Sequence, residues 1–185
     1  MHFSELSIRG AYHIDVGKIE DERGFFARAW CEDEFEDNGL PGKIVQASIS
    51  CSIKKGTVRG LHYQSAPSRE GKLVRCTAGS VFDVIVDLRP NSTSYRKSCS
   101  IILSVDDCNA LYVPPGVAHG FQTLSDDVYV FYMMTDYFRP EYASGVRWND
   151  PAFNIKWPAE VSVISNRDRH YPDFKDDMVA SFSDY

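Results

Sequence analysis

The chain has 185 residues, 43% hydrophobic and 25% charged, with a formal net charge of -6. That composition suits a globular protein able to bury a sizeable core. The acidic balance lacks the basic surplus of a nucleic-acid binder, and no stretch approaches the roughly 20 apolar residues of a membrane span. Neither nucleic acid nor membrane is therefore expected as a partner.

The N-terminus, MHFSELSIRG, has no signal-peptide core, so a cytoplasmic location is expected. Helical signal is thin: residues 32–38 read as one or two turns, ended by Asn38-Gly39. Short β-like runs then recur at 44–49, 73–77, 81–88, 100–105, 110–113 and 128–133. In the 81–88 run Phe82, Val84, Val86 and Leu88 share one face. Turn signals separate the runs: Lys55-Gly56, Ala78-Gly79, Arg89-Pro90-Asn91-Ser92, Pro114-Pro115-Gly116 and Ser125-Asp126-Asp127. Many short strands at this spacing predict an all-β sandwich or barrel. From Tyr142 onward the pattern is less regular, with Trp148, Trp157, Pro151, Pro158 and Pro172. This part is expected to wrap the barrel and end in a short helix or a tail at about 175–185, within a single domain spanning 1–185. Cys31, Cys51, Cys76, Cys99 and Cys108 are odd in number and form no CxxC. They read as buried free thiols in a reducing compartment.

Two blocks carry chemistry. The first is Gly56-Thr57-Val58-Arg59-Gly60-Leu61-His62-Tyr63-Gln64. Strict alternation puts Arg59 and His62 on opposite faces, but a bulge at Gly60 would turn both toward one cavity. The second is Pro114-Pro115-Gly116-Val117-Ala118-His119-Gly120-Phe121, a turn that sets His119 at the start of a strand. In isolation, either His reads as readily as a satisfied core residue. Together the blocks resemble the two cupin motifs. Metal-binding cupins show HxH and a downstream Glu in the first block; here His62, Tyr63 and Gln64 stand there, with Lys72 near the acidic position. Two His with an intervening Lys make a poor metal site, so neither metal nor cofactor is expected. A neutral His beside a Lys and a Tyr suits proton abstraction next to a carbonyl. Lys72 can face the enolate. Tyr132 shares a strand face with Val128 and Val130 and can point into a barrel to return a proton.

From about residue 3 to 174 the chain resembles the dTDP-4-dehydrorhamnose 3,5-epimerase family. The ordered motifs are Asp21-Glu22-Arg23-Gly24-Phe25-Phe26, Val58-Arg59-Gly60-Leu61-His62-Tyr63-Gln64, Gly71-Lys72-Leu73-Val74 and Asp83-Val84-Ile85-Val86-Asp87-Leu88-Arg89. They continue with Pro115-Gly116-Val117-Ala118-His119-Gly120-Phe121, Thr135-Asp136-Tyr137, Arg147-Trp148-Asn149-Asp150-Pro151 and Arg167-Asp168. The resemblance implies an all-β cupin-type jelly-roll barrel with short peripheral helices, assembled as a homodimer whose N-terminal segment crosses to the partner. It implies a nucleotide-diphosphate sugar as substrate, His62 as base oriented by Asp168, Tyr132 as opposing acid, and Lys72 near the 4-keto oxygen. Arg23 and Arg59 should hold the diphosphate, while Gln46 and His119 match binding positions. Phe138 stands where the family usually has a Tyr that stacks on the base.

Four positions depart from the family pattern: Arg28 and Ala143 where a Glu is usual, Ser48 where an Asn is usual, and Arg167 where a Lys is usual. The proton-transfer groups are kept and the substrate-binding ones differ. The expectation is an isomerase that inverts C3 and/or C5 of a nucleotide-linked 4-keto-6-deoxyhexose, of the dTDP-4-dehydro-6-deoxyglucose to dTDP-4-dehydrorhamnose type, with the departures leaving room for another nucleotide, sugar or number of inverted centres. The alternatives weighed beside it are a mono-epimerase, an epimerase of another nucleotide sugar such as a GDP-linked 4-keto-heptose, a non-catalytic sugar-nucleotide-binding cupin, and a metallo-cupin oxygenase.

Overall fold

The structure, a computed structural model, describes residues 1–178; most of the tail expected at 175–185 lies outside the described residues. In chain order the elements are β1 (His2–Glu5), β2 (Tyr12–Asp15), β3 (Ile19–Asp21), β4 (Gly24–Phe26), α1 (Glu32–Asp37), β5 (Gln46–Ser52), β6 (Thr57–Gln64) and β7 (Lys72–Ala78). There follow β8 (Ser80–Asp87), β9 (Ser98–Ser104), β10 (Ala110–Val113), β11 (Val117–Thr123), β12 (Val128–Met134), a 3-10 turn at Pro140–Tyr142, β13 (Ala143–Gly145), β14 (Val163–Ile164) and α2 (Asn166–Arg169). One sheet runs β1-β2-β10-β7-β12-β5 and the other β13-β6-β11-β8-β9, with β14 added in parallel to β6; β3 and β4 form a separate hairpin. All other pairings are antiparallel, and the two sheets make the jelly-roll barrel.

The pleat sorts the strand residues. Val74, Cys76, Val81, Ile85, Leu111, Phe121, Val128 and Val130 fill the interior between the sheets. The face of β8 formed by Phe82, Val84 and Val86, continued by Leu88, points the other way, against Phe153, Trp157 and Phe174 of the C-terminal wrap. The Phe82 and Trp157 rings meet at 6.1 Å. Covered on both sides, β8 reads as nearly continuous apolar sequence. A third cluster seats α1: Phe35 packs edge-on against Phe3 at 5.3 Å and Tyr112 at 6.3 Å, outside the sheet that holds Leu73. Burying one such ring contributes about 1.5–3 kcal/mol. Acidic Glu32, Asp33 and Glu34 complement the helix N-terminus, and Gly39, at φ 72°, turns the chain away after it.

Two features differ from expectation. All five cysteines are free, but Cys76 alone is fully buried and Cys51 is exposed, because β5 is an edge strand whose odd positions face outward. The short strands β1–β4, β13 and β14 carry too few residues to show a period of two. The β3–β4 hairpin presents Ile19 and Phe26, cross-strand neighbours that are 70% and 72% exposed, and edge strand β5 presents Ile49. Among the described residues no helix is long and apolar enough to cross a membrane.

Candidate active site

The polar end of the barrel is built by the same alternation as the apolar core. Lys72 continues the inward face of Val74 and Cys76, Tyr132 that of Val128 and Val130, and Gln46, Ser48 and Ser50 form the inward face of β5. His62 comes from the opposite sheet. It pairs with His119 across β6 and β11, yet Arg59 pairs with Phe121, so β6 carries one extra residue there. This is the bulge expected at Gly60. Its φ is +106°, and an added Cβ would lie 2.7 Å from Gly120 Cα and His119 O, so only glycine fits. The bulge brings Arg59 and His62 onto one cleft.

The cleft has two lobes, of about 450 and 400 Å³, that share His62, Lys72, Tyr132 and Arg167. The first reaches Arg59, His119 and Asp168; the second reaches Gln46, Ser48, Phe138 and Ala143.

Asp168 is delivered by α2, whose N-cap Ser165 Oγ accepts the Asp168 N–H at 3.1 Å. The carboxylate is 3% exposed. Its Oδ1 lies 2.7 Å from His62 Nε2 and its Oδ2 accepts the Gly60 N–H at 3.0 Å, so one group fixes both the imidazole and the bulge. Burial pushes this carboxyl up, but the His62 contact, the Gly60 N–H and Arg167 outweigh it and hold it at about 2. An ionised carboxylate accepts the Nε2–H, which keeps the ring proton on Nε2 and leaves the lone pair on Nδ1. Arg167 Nη2 also approaches Nε2, at 3.2 Å. One nitrogen cannot donate to Asp168 and accept from Arg167 together, so the guanidinium packs beside the pair.

Tyr132 faces His62 from the other sheet. Burial raises its phenol above the ordinary value, against a bond to Ser50 Oγ at 3.2 Å, and it keeps its proton at neutral pH. His119 Nε2 lies 3.0 Å from Oδ2 and 2.8 Å from Oδ1 of the fully buried Asp83; burial raises that carboxyl, with His119 opposing. The His119 and Tyr132 rings stand edge-on at 6.2 Å. Arg59 is fixed along the wall by Ser52 Oγ at 3.0 Å and Cys51 O at 2.7 Å. Lys72 Nζ lies 3.0 Å from Glu70 Oε1. Gln46 Oε1 accepts the Phe138 N–H at 3.1 Å and so ties down the segment that carries this half-exposed ring. Among the described residues no three His, Cys, Asp or Glu side chains gather around a point that could hold a metal ion.

The family model for dTDP-4-dehydrorhamnose 3,5-epimerase matches residues 5–176. The chain is 44% identical over 165 residues to a dTDP-4-dehydrorhamnose 3,5-epimerase of Escherichia coli (strain K12), covering 89% of each chain. The chain belongs to this family. A crystal structure of dTDP-4-dehydrorhamnose 3,5-epimerase from Elizabethkingia anophelis NUHP1 superposes with a TM-score of 0.91 at 37% identity, covering 95% of this chain and 97% of that one. A dTDP-4-dehydrorhamnose 3-epimerase of Streptomyces niveus is 36% identical over 172 residues, covering 91% of this chain and 82% of its own. The protein is thus a sugar-nucleotide epimerase, an isomerase on a cupin-type jelly roll.

Within this family member, the site residues expected from sequence come together with two exceptions. Arg23 sits on the exposed hairpin turn, paired with Asp21 at 2.5 Å, and Arg28 is paired with Glu34 at 2.6 Å; neither lines the cleft of its own chain. Ser48, Ala143, Phe138 and Arg167 all line the second lobe. The structure adds Ser50, Glu70, Gln64 and Ser165. Ser50 was readable as the next inward position after Ser48, and Gln64 ends strand β6; Glu70 and Ser165 sit on loops, which carry no periodic signal.

Proposed function

We propose that this epimerase inverts C3 and C5, or one of them, in a nucleotide-linked 4-keto-6-deoxyhexose of the dTDP-4-dehydro-6-deoxyglucose type. The observation that carries the reading is a His–Asp pair and a protonated phenol on opposite walls of one cleft. His62 Nδ1 takes the proton from the carbon beside the ketone, and the bonding electrons move onto the ketone oxygen. Lys72 faces that oxygen, and its ammonium stabilises the enolate. Tyr132 then gives its proton to the opposite face of the carbon, which inverts it; water returns a proton to the phenolate and removes the one on His62. Asp168 holds the imidazole in the required tautomer and stabilises its charged form. The chain's own side chains and water account for every proton transfer.

For the substrate's nucleotide end, Phe138 offers a ring for stacking on the base and Arg59 a fork for phosphate. His119, Gln46 and Ser48 line the path between them. Arg23 and Arg28 belong to the partner's cleft in a homodimer that exchanges its N-terminal hairpin. The exposed Ile19 and Phe26 of that hairpin and the bare apolar edge of β5 support such an interface. The barrel and its wrap act as one domain over 1–185, in the cytoplasm. Ser48, Phe138, Ala143 and Arg167 of the second lobe are the positions at which a change of base, sugar or number of inversions would be set.

Incubation with dTDP-4-dehydro-6-deoxyglucose in deuterated water, read by NMR, tests this. Exchange at two carbons means a 3,5-epimerase and exchange at one a mono-epimerase. Exchange on a GDP-linked 4-keto sugar alone moves the nucleotide assignment. No exchange on any 4-keto sugar nucleotide defeats the proposal.

A further inference from the structure

The geometry points to Glu70 as a positioning residue for Lys72, the cation that meets the substrate's ketone. The inference rests on the reading of Lys72 given above. Glu70 lies on the loop between β6 and β7, with a side chain only 4% exposed. Its Oε1 stands 3.0 Å from Lys72 Nζ, and its Oε2 accepts Gln64 Nε2 at 2.9 Å. Gln64 is itself fixed. Its Oε1 accepts the Arg139 N–H at 2.7 Å, which sets the amide so that Nε2 points at Glu70; that nitrogen also reaches Tyr137 O at 3.2 Å.

Glu70 therefore sits between two groups that can only donate, an ammonium and an oriented amide NH₂. A carboxylate offers an acceptor to each, whereas a glutamine in its place must turn its own NH₂ toward one of them. The four-carbon stem of Lys72 has several rotatable bonds, and a nearly buried ammonium without a counter-charge is expensive. Glu70 answers both needs. It occupies one face of the ammonium and leaves the remaining N–H bonds for the ketone oxygen. Through Gln64 the same carboxylate is tied to the 137–139 segment that carries Phe138, so the ring proposed to receive the base and the cation proposed to receive the ketone share one rigid strut.

The test uses the intact protein with Glu70→Gln, Glu70→Ala and the conservative Glu70→Asp. Lys72 is watched directly through its ammonium nitrogen–proton correlation in lysine-labelled protein, assigned by its loss in Lys72→Arg. Solvent-deuterium exchange on the 4-keto sugar nucleotide gives kcat and KM. The expected result is loss of the Lys72 signal in the Gln and Ala variants, with kcat down by about 10- to 100-fold and KM within about threefold. Glu70→Asp, which keeps both acceptors, should recover part of the rate. An unchanged kcat overturns the inference, as does a lowered kcat with an intact Lys72 signal. A rise in KM alone also overturns it, since Glu70 would then serve only the loop. An inactive wild type defeats the epimerase reading instead, and the Lys72 signal in the free protein still decides whether Glu70 holds the ammonium.

Discussion

Replacing Asp168 with Asn probes the His62–Asp168 pair proposed to carry proton abstraction. The carboxyl is held at about 2 against an ordinary 3.8. At 1.36 kcal/mol per unit, that gap corresponds to about 2 kcal/mol of interaction with its partners, or on the order of tens-fold in rate if all of it is felt in the transition state. The tautomer adds to this. Gly60 N–H and His62 Nε2 both present protons to Asp168. An amide that keeps its oxygen on Gly60 turns its NH₂ toward Nε2, and the ring proton then moves to Nδ1, the nitrogen that must act as base. The expected fall in kcat is therefore about 10²- to 10⁴-fold, with nucleotide binding kept. Deuterium wash-in at saturating substrate measures it, with thermal unfolding as the control for folding. A variant within about threefold of wild type would refute the role of Asp168.

Three further outcomes follow from the same geometry. Tyr132→Phe should slow or block inversion while leaving proton exchange at one carbon, because His62 still removes the proton; full inversion at the wild-type rate would contradict the acid role. Asp168 is depressed in the folded state, so its contribution of about 2 kcal/mol is present above pH 3.8 and lost as pH falls toward about 2. Urea unfolding should show the stability gap between wild type and Asp168→Asn shrinking from pH 6 to pH 2.5; a constant gap would contradict this. Gly60→Ala places a Cβ 2.7 Å from two backbone atoms at a φ of +106°, so it should cost about 2–4 kcal/mol in thermal unfolding and disturb the His62–Asp168 contact. An unchanged melting temperature would mean that the bulge tolerates a side chain.

Much of this site was legible in the sequence, for identifiable reasons. The long strands announce themselves by alternation, and alternation alone places Tyr132 on an inward face. The bulge was legible because Gly60 separates two residues that a regular strand would send to opposite sides. Asp168 was not accessible to periodicity: it is 106 residues from His62 and arrives on a four-residue helix, and only the resemblance to a family assigned it. Glu70 and Gln64 escaped because their roles depend on how a loop carboxylate meets the amide at the end of β6, which no periodicity reports. The cysteines were read as buried from the apolar character of their neighbours, and Cys51 shows the limit of that inference, since an edge strand exposes what an inner strand would cover. Arg23 and Arg28, assigned to substrate binding from the resemblance, sit away from their own chain's cleft and are paired with Asp21 and Glu34, placements that sequence order does not reveal.

The most direct measurement is made on His62→Ala. With dTDP-4-dehydro-6-deoxyglucose in deuterated water, the variant should bind the nucleotide as wild type does and incorporate no deuterium at C3 or C5. Wash-in at either carbon at the wild-type rate would show that another group removes the proton and would contradict the assignment of His62 as the base.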